Sequence, residues 1–413
     1  MANTINAASF GATGNGSTDD TAALQAAINA AQAGNLRLEL DPGRYLTSAP
    51  LIVLQGQSAP GAVAYSFDMD GFNASILPTH AGDTISIQPQ SPNTANPTDR
   101  SRYPVSIRNL VIDGAFSSVA TNGIRVGRAG YSMYMFARAA LLENVTTVEL
   151  RGTGLIIENA AHFDVNRFTQ RTHNGGKGLY MSSLENTFTG DISFNDCQFQ
   201  GTNAGRPIHL ITYTASGQAQ VRGVRFNSCV VYGSGTQVEA SLNGLTADVW
   251  FNSCAWDGPA APAGEGAVRV IASNGGQVDK VWFDKTYMVN YTGVGIYLQS
   301  DNPGVLRAIK ITDGSFAYVA EPIKLINAEE VVIEGNTFDS CTTWALINVS
   351  ASSTNLRIAG NSESQNAASH LVAIGDGSTR FQVIDNLAFS VSGAVVNDYA
   401  GSVSKQVTNN VRL

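Results

Sequence analysis

Residues 189 to 258 write one phrase three times: Asp191-Ile-Ser-Phe-Asn-Asp-Cys197-Gln-Phe199, then Gly223-Val-Arg-Phe-Asn-Ser-Cys229-Val-Val231, then Asp248-Val-Trp-Phe-Asn-Ser-Cys254-Ala-Trp256. Aligning Phe194, Phe226 and Phe251 places Asn195, Asn227 and Asn252 one residue later and the three cysteines three residues later. Apolar and polar residues alternate around each Phe, which predicts a strand with one buried face, and the Asn after it predicts a turn that accepts left-handed backbone. Each copy then reads as one coil of a solenoid.

The same anchor position extends in both directions through Ile112, Leu142, Val165, Phe194, Phe226, Phe251, Phe283, Ile311, Ile333, Ile358 and Val383, at spacings of 22 to 32 residues. A period of that size with strand-type alternation predicts an all-β fold, a right-handed parallel β-helix. A solenoid core grows lengthwise, so 413 residues form one elongated body, with residues 1–46 as an N-terminal turn, capping helix and first strand and 47–413 as the β-helix with loop insertions. Three cysteines on one coil position predict a ladder of small buried side chains rather than disulfides, and Cys341 falls outside that ladder.

Hydrophobic residues make up 43% of the chain and charged ones only 14%, with 41 glycines for the turns, which excludes a disordered chain. A net charge of −8 argues against nucleic acid as a partner, although a local basic patch still suits an acidic polysaccharide. No apolar run is long enough to insert in a membrane, and no basic start precedes an apolar segment, so no secretory signal is expected. Neither zinc spacing nor a phosphate loop is present, and no cofactor or metal is expected.

At the N-terminus, Asn15 to Asp20 supply turn residues and helix caps, and Ala23, Leu24, Ala27, Ile28 and Ala31 share one helical face that Gly34 ends. A helix here covers the open end of the solenoid core. The run from Phe10-Gly-Ala-Thr-Gly-Asn-Gly through Asp19-Asp20-Thr to Ile28, followed by Leu40-Asp-Pro-Gly43-Arg-Tyr45, resembles the opening of the pectate-lyase-like β-helix superfamily. Within it the chain is most similar to phage tailspike proteins. That resemblance implies a homotrimer, carried on a virion through a phage tail or adaptor protein, that binds or cleaves bacterial surface polysaccharide outside the cell.

Strand alternation points the residues one and three places before each anchor outward. The first stripe carries Asp164, Arg225, Trp250 and Trp282. Two tryptophans on successive coils suit either the faces of sugar rings or a subunit interface. The second stripe carries His162, Asp191, Asp248 and Lys280. Carboxylates on neighbouring coils suit an inverting glycosidase, in which one acid protonates the leaving oxygen and the other activates water. Asp164, Asp191 and Asp248 are therefore the catalytic candidates, and Trp250, Trp282, Arg225, His162 and Lys280 the substrate-binding ones. Hydrolysis is the leading expectation, with a non-catalytic structural or receptor-binding trimer as the alternative. A polysaccharide lyase needs a base and a cation instead, for which His162, Arg167, Arg171, His173, Lys177 and Tyr180 supply a basic and aromatic segment.

Overall fold

The computed structural model describes residues 3–57, 64–89, 104–115, 117–128, 133–134, 141–171, 176–184, 187–201, 206–213, 219–233, 235–258, 266–399 and 405–412. It is an all-β parallel β-helix with about twelve turns and one short α-helix. Two compact units divide the chain, Met1–Gly205 and Arg206–Leu413.

In the first unit the helix Thr21–Gly34 buries Leu24, Ala27, Ile28, Ala31 and Gln32. Its two glutamines supply what an open sheet edge lacks. Gln25 accepts from the Ile52 amide (2.7 Å) and donates to the Ile52 carbonyl (2.9 Å), and Gln32 donates to the Leu54 carbonyl. The helix thus covers the strand Leu51–Gln57 with side-chain amides as well as apolar surface, which removes an exposed edge. The helix stops at Asn35, the left-handed residue (φ 49°) that closes it, one place beyond Gly34. Asp20 occupies the N-cap position but does not cap. Its buried carboxylate accepts from the Thr13 and Gly14 amides instead (2.7 and 3.1 Å) and ties down the glycine-rich turn. Gly14 itself has φ +60°, and a Cβ there would meet the Tyr45 ring at 2.9 Å, so the turn and the buried Tyr45 are mutually fitted.

Along this unit Ile107 pairs with Leu142, Leu142 with Val165, and Val165 with Phe194. The anchor of the first of these coils is therefore Ile107. Ile112 faces Thr147 and is slipped by five residues. The cause is the left-handed residue Asn109 (φ 54°) inside the strand Val105–Asp113. It resets the alternation, so Ile107 and Ile112 are both buried and apolar pattern alone cannot choose between them.

The second unit keeps the anchor register through every coil: Phe226, Phe251, Phe283, Ile311, Ile333, Ile358 and Val383 pair in turn. Phe226, Phe251 and Phe283 stack with centroids 4.8 and 5.1 Å apart and planes within 10° and 8°. Left-handed residues recur three places before and two places after the anchor, as at Asp248 and Ser253 or Lys280 and Lys285. The turn's left-handed residue is thus the one after the repeated Asn. The asparagines themselves bond between coils, Asn252 Nδ2 to Asn227 Oδ1 at 2.9 Å. All four cysteines are free and buried, and burial pushes the Cys254 thiol well above its ordinary value. Further along, the cysteine position passes to Asn336, Asn361 and Asn386, whose buried amides bond from coil to coil at 2.9 to 3.0 Å.

A third row of strands in this unit, Ile208–Tyr213, Thr236–Ser241, Val268–Ser273 and the later halves of Tyr287–Ser300 and Ser315–Ile326, buries Leu210, Val238, Val270, Leu298 and Leu325. Alternate residues of the row face outward.

Candidate functional site

The first unit holds His162, Asp164 and Asp191. His162 (φ 67°) and Asp191 (φ 50°) are both left-handed corner residues, and Nδ1 of the one lies 3.2 Å from Oδ2 of the other. Asp164 is exposed and its strand neighbour is Ser193, not a second acid. The basic segment does not form a single cluster. Arg167 pairs with Glu143 at 2.8 Å, Lys177 sits 4.6 Å over the Tyr180 ring, and His173 lies outside the described residues.

In the second unit Asp248 is held by two cations, Arg222 Nε at 2.6 Å and Lys280 Nζ at 3.7 Å, with its side chain 15% exposed. A carboxylate so neutralised is a structural ion pair at a left-handed corner, and its lone pairs are engaged before any substrate arrives. Trp250 and Trp282 do neighbour each other, but they are half-buried and meet edge to face at 84°, centroids 5.7 Å apart. Arg225 lies 4.6 Å from the Trp250 ring centre and Lys310 lies 4.5 Å from that of Trp282. The two rings thus form a ladder in which each is already capped by a cation, each contact of a kind worth about 0.5–2 kcal/mol.

A denser set of functional groups lies on the outward side of the third strand row. His209, Gln237, Arg269, Tyr297 and Lys324 occupy one position on five successive coils. Glu239 stands two residues beyond Gln237, its Oε2 3.6 Å from His209 Nε2, with both side chains mostly buried at 20% and 12% exposure. The neighbouring His209 lowers the Glu239 carboxyl below its ordinary value against the opposing effect of burial, and the charges of Arg206 and Arg269 add to it. Tyr297 lies between two cations, Arg269 and Lys324, each 5.7 Å from its ring centre. Lys324 also reaches Glu321 at 3.7 Å, and Asn348 donates to that carboxylate at 2.7 Å. Arg206, Arg269 and Lys324 exceed Glu239 and Glu321 by one positive charge, a local reversal of the chain's net −8. The Arg269 Nε is buried without a hydrogen-bond partner among the described residues.

Sequence reasoning passed over this row because its members stand one to a coil, 27 to 32 residues apart. The usable signal was the apolar alternation of Leu210, Val238, Val270, Leu298 and Leu325, each flanked by a charged or aromatic residue. Among the described residues no group of three or more His, Cys, Asp or Glu side chains is placed to hold a metal ion, and no helix is long and apolar enough to cross a membrane.

The sequence profile of the family described as rhamnogalacturonase A/epimerase, pectate lyase-like matches residues 4–258, more than half of the chain. Among curated protein sequences there is no match. Solved structures share the fold at low identity. The A-module of mannuronan C-5 epimerase AlgE4 from Azotobacter vinelandii is 15% identical at a TM-score of 0.56, the alignment covering 98% of this chain and 99% of that one. Tailspike protein 3 of bacteriophage CBA120 is 14% identical at a TM-score of 0.52, covering 98% of this chain and 61% of the tailspike.

Proposed function

This chain belongs to the rhamnogalacturonase A/epimerase, pectate lyase-like family, and from that premise we propose that it binds an acidic bacterial surface polysaccharide along the outward row His209, Arg269, Tyr297 and Lys324 and abstracts a proton next to a uronate carboxylate. The observation that carries this reading is the flanking of Tyr297 by Arg269 and Lys324. Proton removal from the carbon beside a carboxylate needs a cation to take up the charge that develops on the carboxylate oxygens, and a base within reach of that carbon. Arg269 and Lys324 supply the cations, and the Tyr297 oxygen, acting as its phenolate, takes the proton. The carbanion then either expels the glycosidic oxygen at the neighbouring carbon, which picks up that proton from Tyr297 as it leaves and gives an unsaturated uronate, or takes a proton from water on its other face while Tyr297 returns its own proton to solvent. His209 and Glu239 fix the polar end of the row.

Hydrolysis by Asp164 and Asp191 is the second reading, favoured by the exposure of both carboxylates on adjacent coils and by the imidazole that already engages Asp191. Carriage on a phage particle as a homotrimer is proposed on the resemblance of the chain to phage tailspike proteins within the pectate-lyase-like superfamily.

The test uses mannuronan and rhamnogalacturonan oligosaccharides in deuterated water, followed by NMR and ultraviolet absorbance. Proton abstraction puts deuterium at the carbon beside the carboxylate or produces an ultraviolet-absorbing end group. Hydrolysis gives new reducing ends and neither signal. Tyr297→Phe is expected to slow the exchange by about 10²–10⁴-fold while oligosaccharide affinity stays near that of the parent. An unchanged exchange rate in that variant removes Tyr297 from the chemistry.

A further inference from the structure

The last coils of the second unit carry an aromatic group that the row above does not use. Trp344 and Tyr399 are 45% and 57% exposed, with rings 23° from parallel and centroids 6.2 Å apart. His370 meets Trp344 edge to face at 5.2 Å. Its hydrogen bonds fix the tautomer. Nδ1 lies 2.8 Å from the Ala394 carbonyl and must donate, so Nε2 accepts from the Asn397 amide at 3.0 Å. That amide gives its second hydrogen to the Tyr399 oxygen at 2.7 Å. The arrangement holds the tyrosine while leaving the Tyr399 O–H and the Asn397 Oδ1 without a hydrogen-bond partner among the described residues.

Two exposed aromatic rings stacked together make a contiguous apolar patch rimmed by polar groups, the kind of surface that marks a ligand-binding site. Two near-parallel rings bordered by one hydroxyl donor and one amide acceptor match a pyranose ring, which has an apolar C–H face and hydroxyls at its edge. Asn397 also stands in the outward row of Arg269, Tyr297 and Lys324, three coils past Lys324 through Asn348 and Ala373. At strand spacing that is about 14 Å along the row, so a glycan chain lying on the row runs toward these rings.

We infer that Trp344, Tyr399, His370 and Asn397 form a distal sugar-stacking subsite that grips the same polysaccharide through an uncharged contact. The inference rests on the polysaccharide reading proposed above, and the test separates the two. Calorimetric titration of the full chain with mannuronan and rhamnogalacturonan hexasaccharides is compared for the parent, Trp344→Ala, Tyr399→Ala and Arg269→Ala, with thermal midpoints confirming that each variant is folded. Trp344→Ala is expected to weaken binding about tenfold, the size of one aromatic hot-spot contact, and Tyr399→Ala to weaken it in the same direction. This loss should persist at high salt, where the contribution of Arg269 is screened. Parent-like affinity in both aromatic variants, beside a loss in Arg269→Ala, overturns the subsite and leaves the cationic row standing. Loss in the aromatic variants with none in Arg269→Ala supports the subsite and defeats the cationic row. Absence of saturable binding by the parent to either hexasaccharide overturns both.

Discussion

Phe251→Ala is expected to destabilise the second unit by about 4 kcal/mol, the usual cost of removing a fully buried aromatic ring whose site cannot collapse. Phe251 has no exposed surface and is stacked between Phe226 and Phe283, with the buried Trp256 against its edge at 5.3 Å. In a solenoid each coil is supported only by its neighbours, so a void at this point removes contacts from three coils at once. Denaturant unfolding followed by tryptophan fluorescence, which includes Trp256, measures it. A shift equivalent to less than about 1 kcal/mol, the size of an ordinary surface substitution, would mean that the ring stack does not hold these coils together.

Glu363→Ala should cost a similar amount for a different reason. The carboxylate is 2% exposed and accepts from the amides of Phe389, Ser390 and Val391, the Ser390 hydroxyl and the Asn366 side chain. Truncation removes the shared acceptor from these buried and part-buried donors, a penalty of about 3–5 kcal/mol. Burial pushes the Glu363 carboxyl up, but the hydrogen bonds from Ser390, Asn366 and Phe389 together outweigh it and leave the group below its ordinary value. The sign for stability follows from that depression. Its contribution is complete above the ordinary carboxylate value of about 4.3 and is lost as pH falls through the depressed folded value. Acid titration of unfolding should therefore show the parent losing stability at low pH and the alanine variant losing less. Equal acid sensitivity would place the effect elsewhere.

The parallel β-helix was legible because its period is carried by side chains that must repeat. Phe226, Phe251 and Phe283 fill one core layer, and Cys229 and Cys254 fit where only a small buried group can. Register failed at Ile112, because a left-handed corner at Asn109 inserts a phase change that apolar alternation does not report. The same effect reached the candidate site. His162, Asp191, Asp248 and Lys280 do lie within strands with exposed or half-buried side chains, but each is also a left-handed corner, which alternation does not report. The coil alignment does place Arg225 beside Trp250 and Lys310 beside Trp282, and what alternation does not report is that both cations lie over the ring faces. The row of His209, Arg269, Tyr297 and Lys324 left no local motif, because parallel coils bring residues together only across a whole turn of chain.

The central claim is that this row binds an acidic glycan through its cations. Titrating mannuronan oligosaccharides into the parent and into Arg269→Ala and Lys324→Ala, at low and high salt, tests it most directly. The account predicts saturable binding by the parent that weakens with salt, a loss of about 2–3 kcal/mol in each variant as charge-assisted hydrogen bonds disappear, and a shallower salt dependence in both. Binding of equal strength and equal salt dependence in all three proteins would contradict it and move the polysaccharide site off this face.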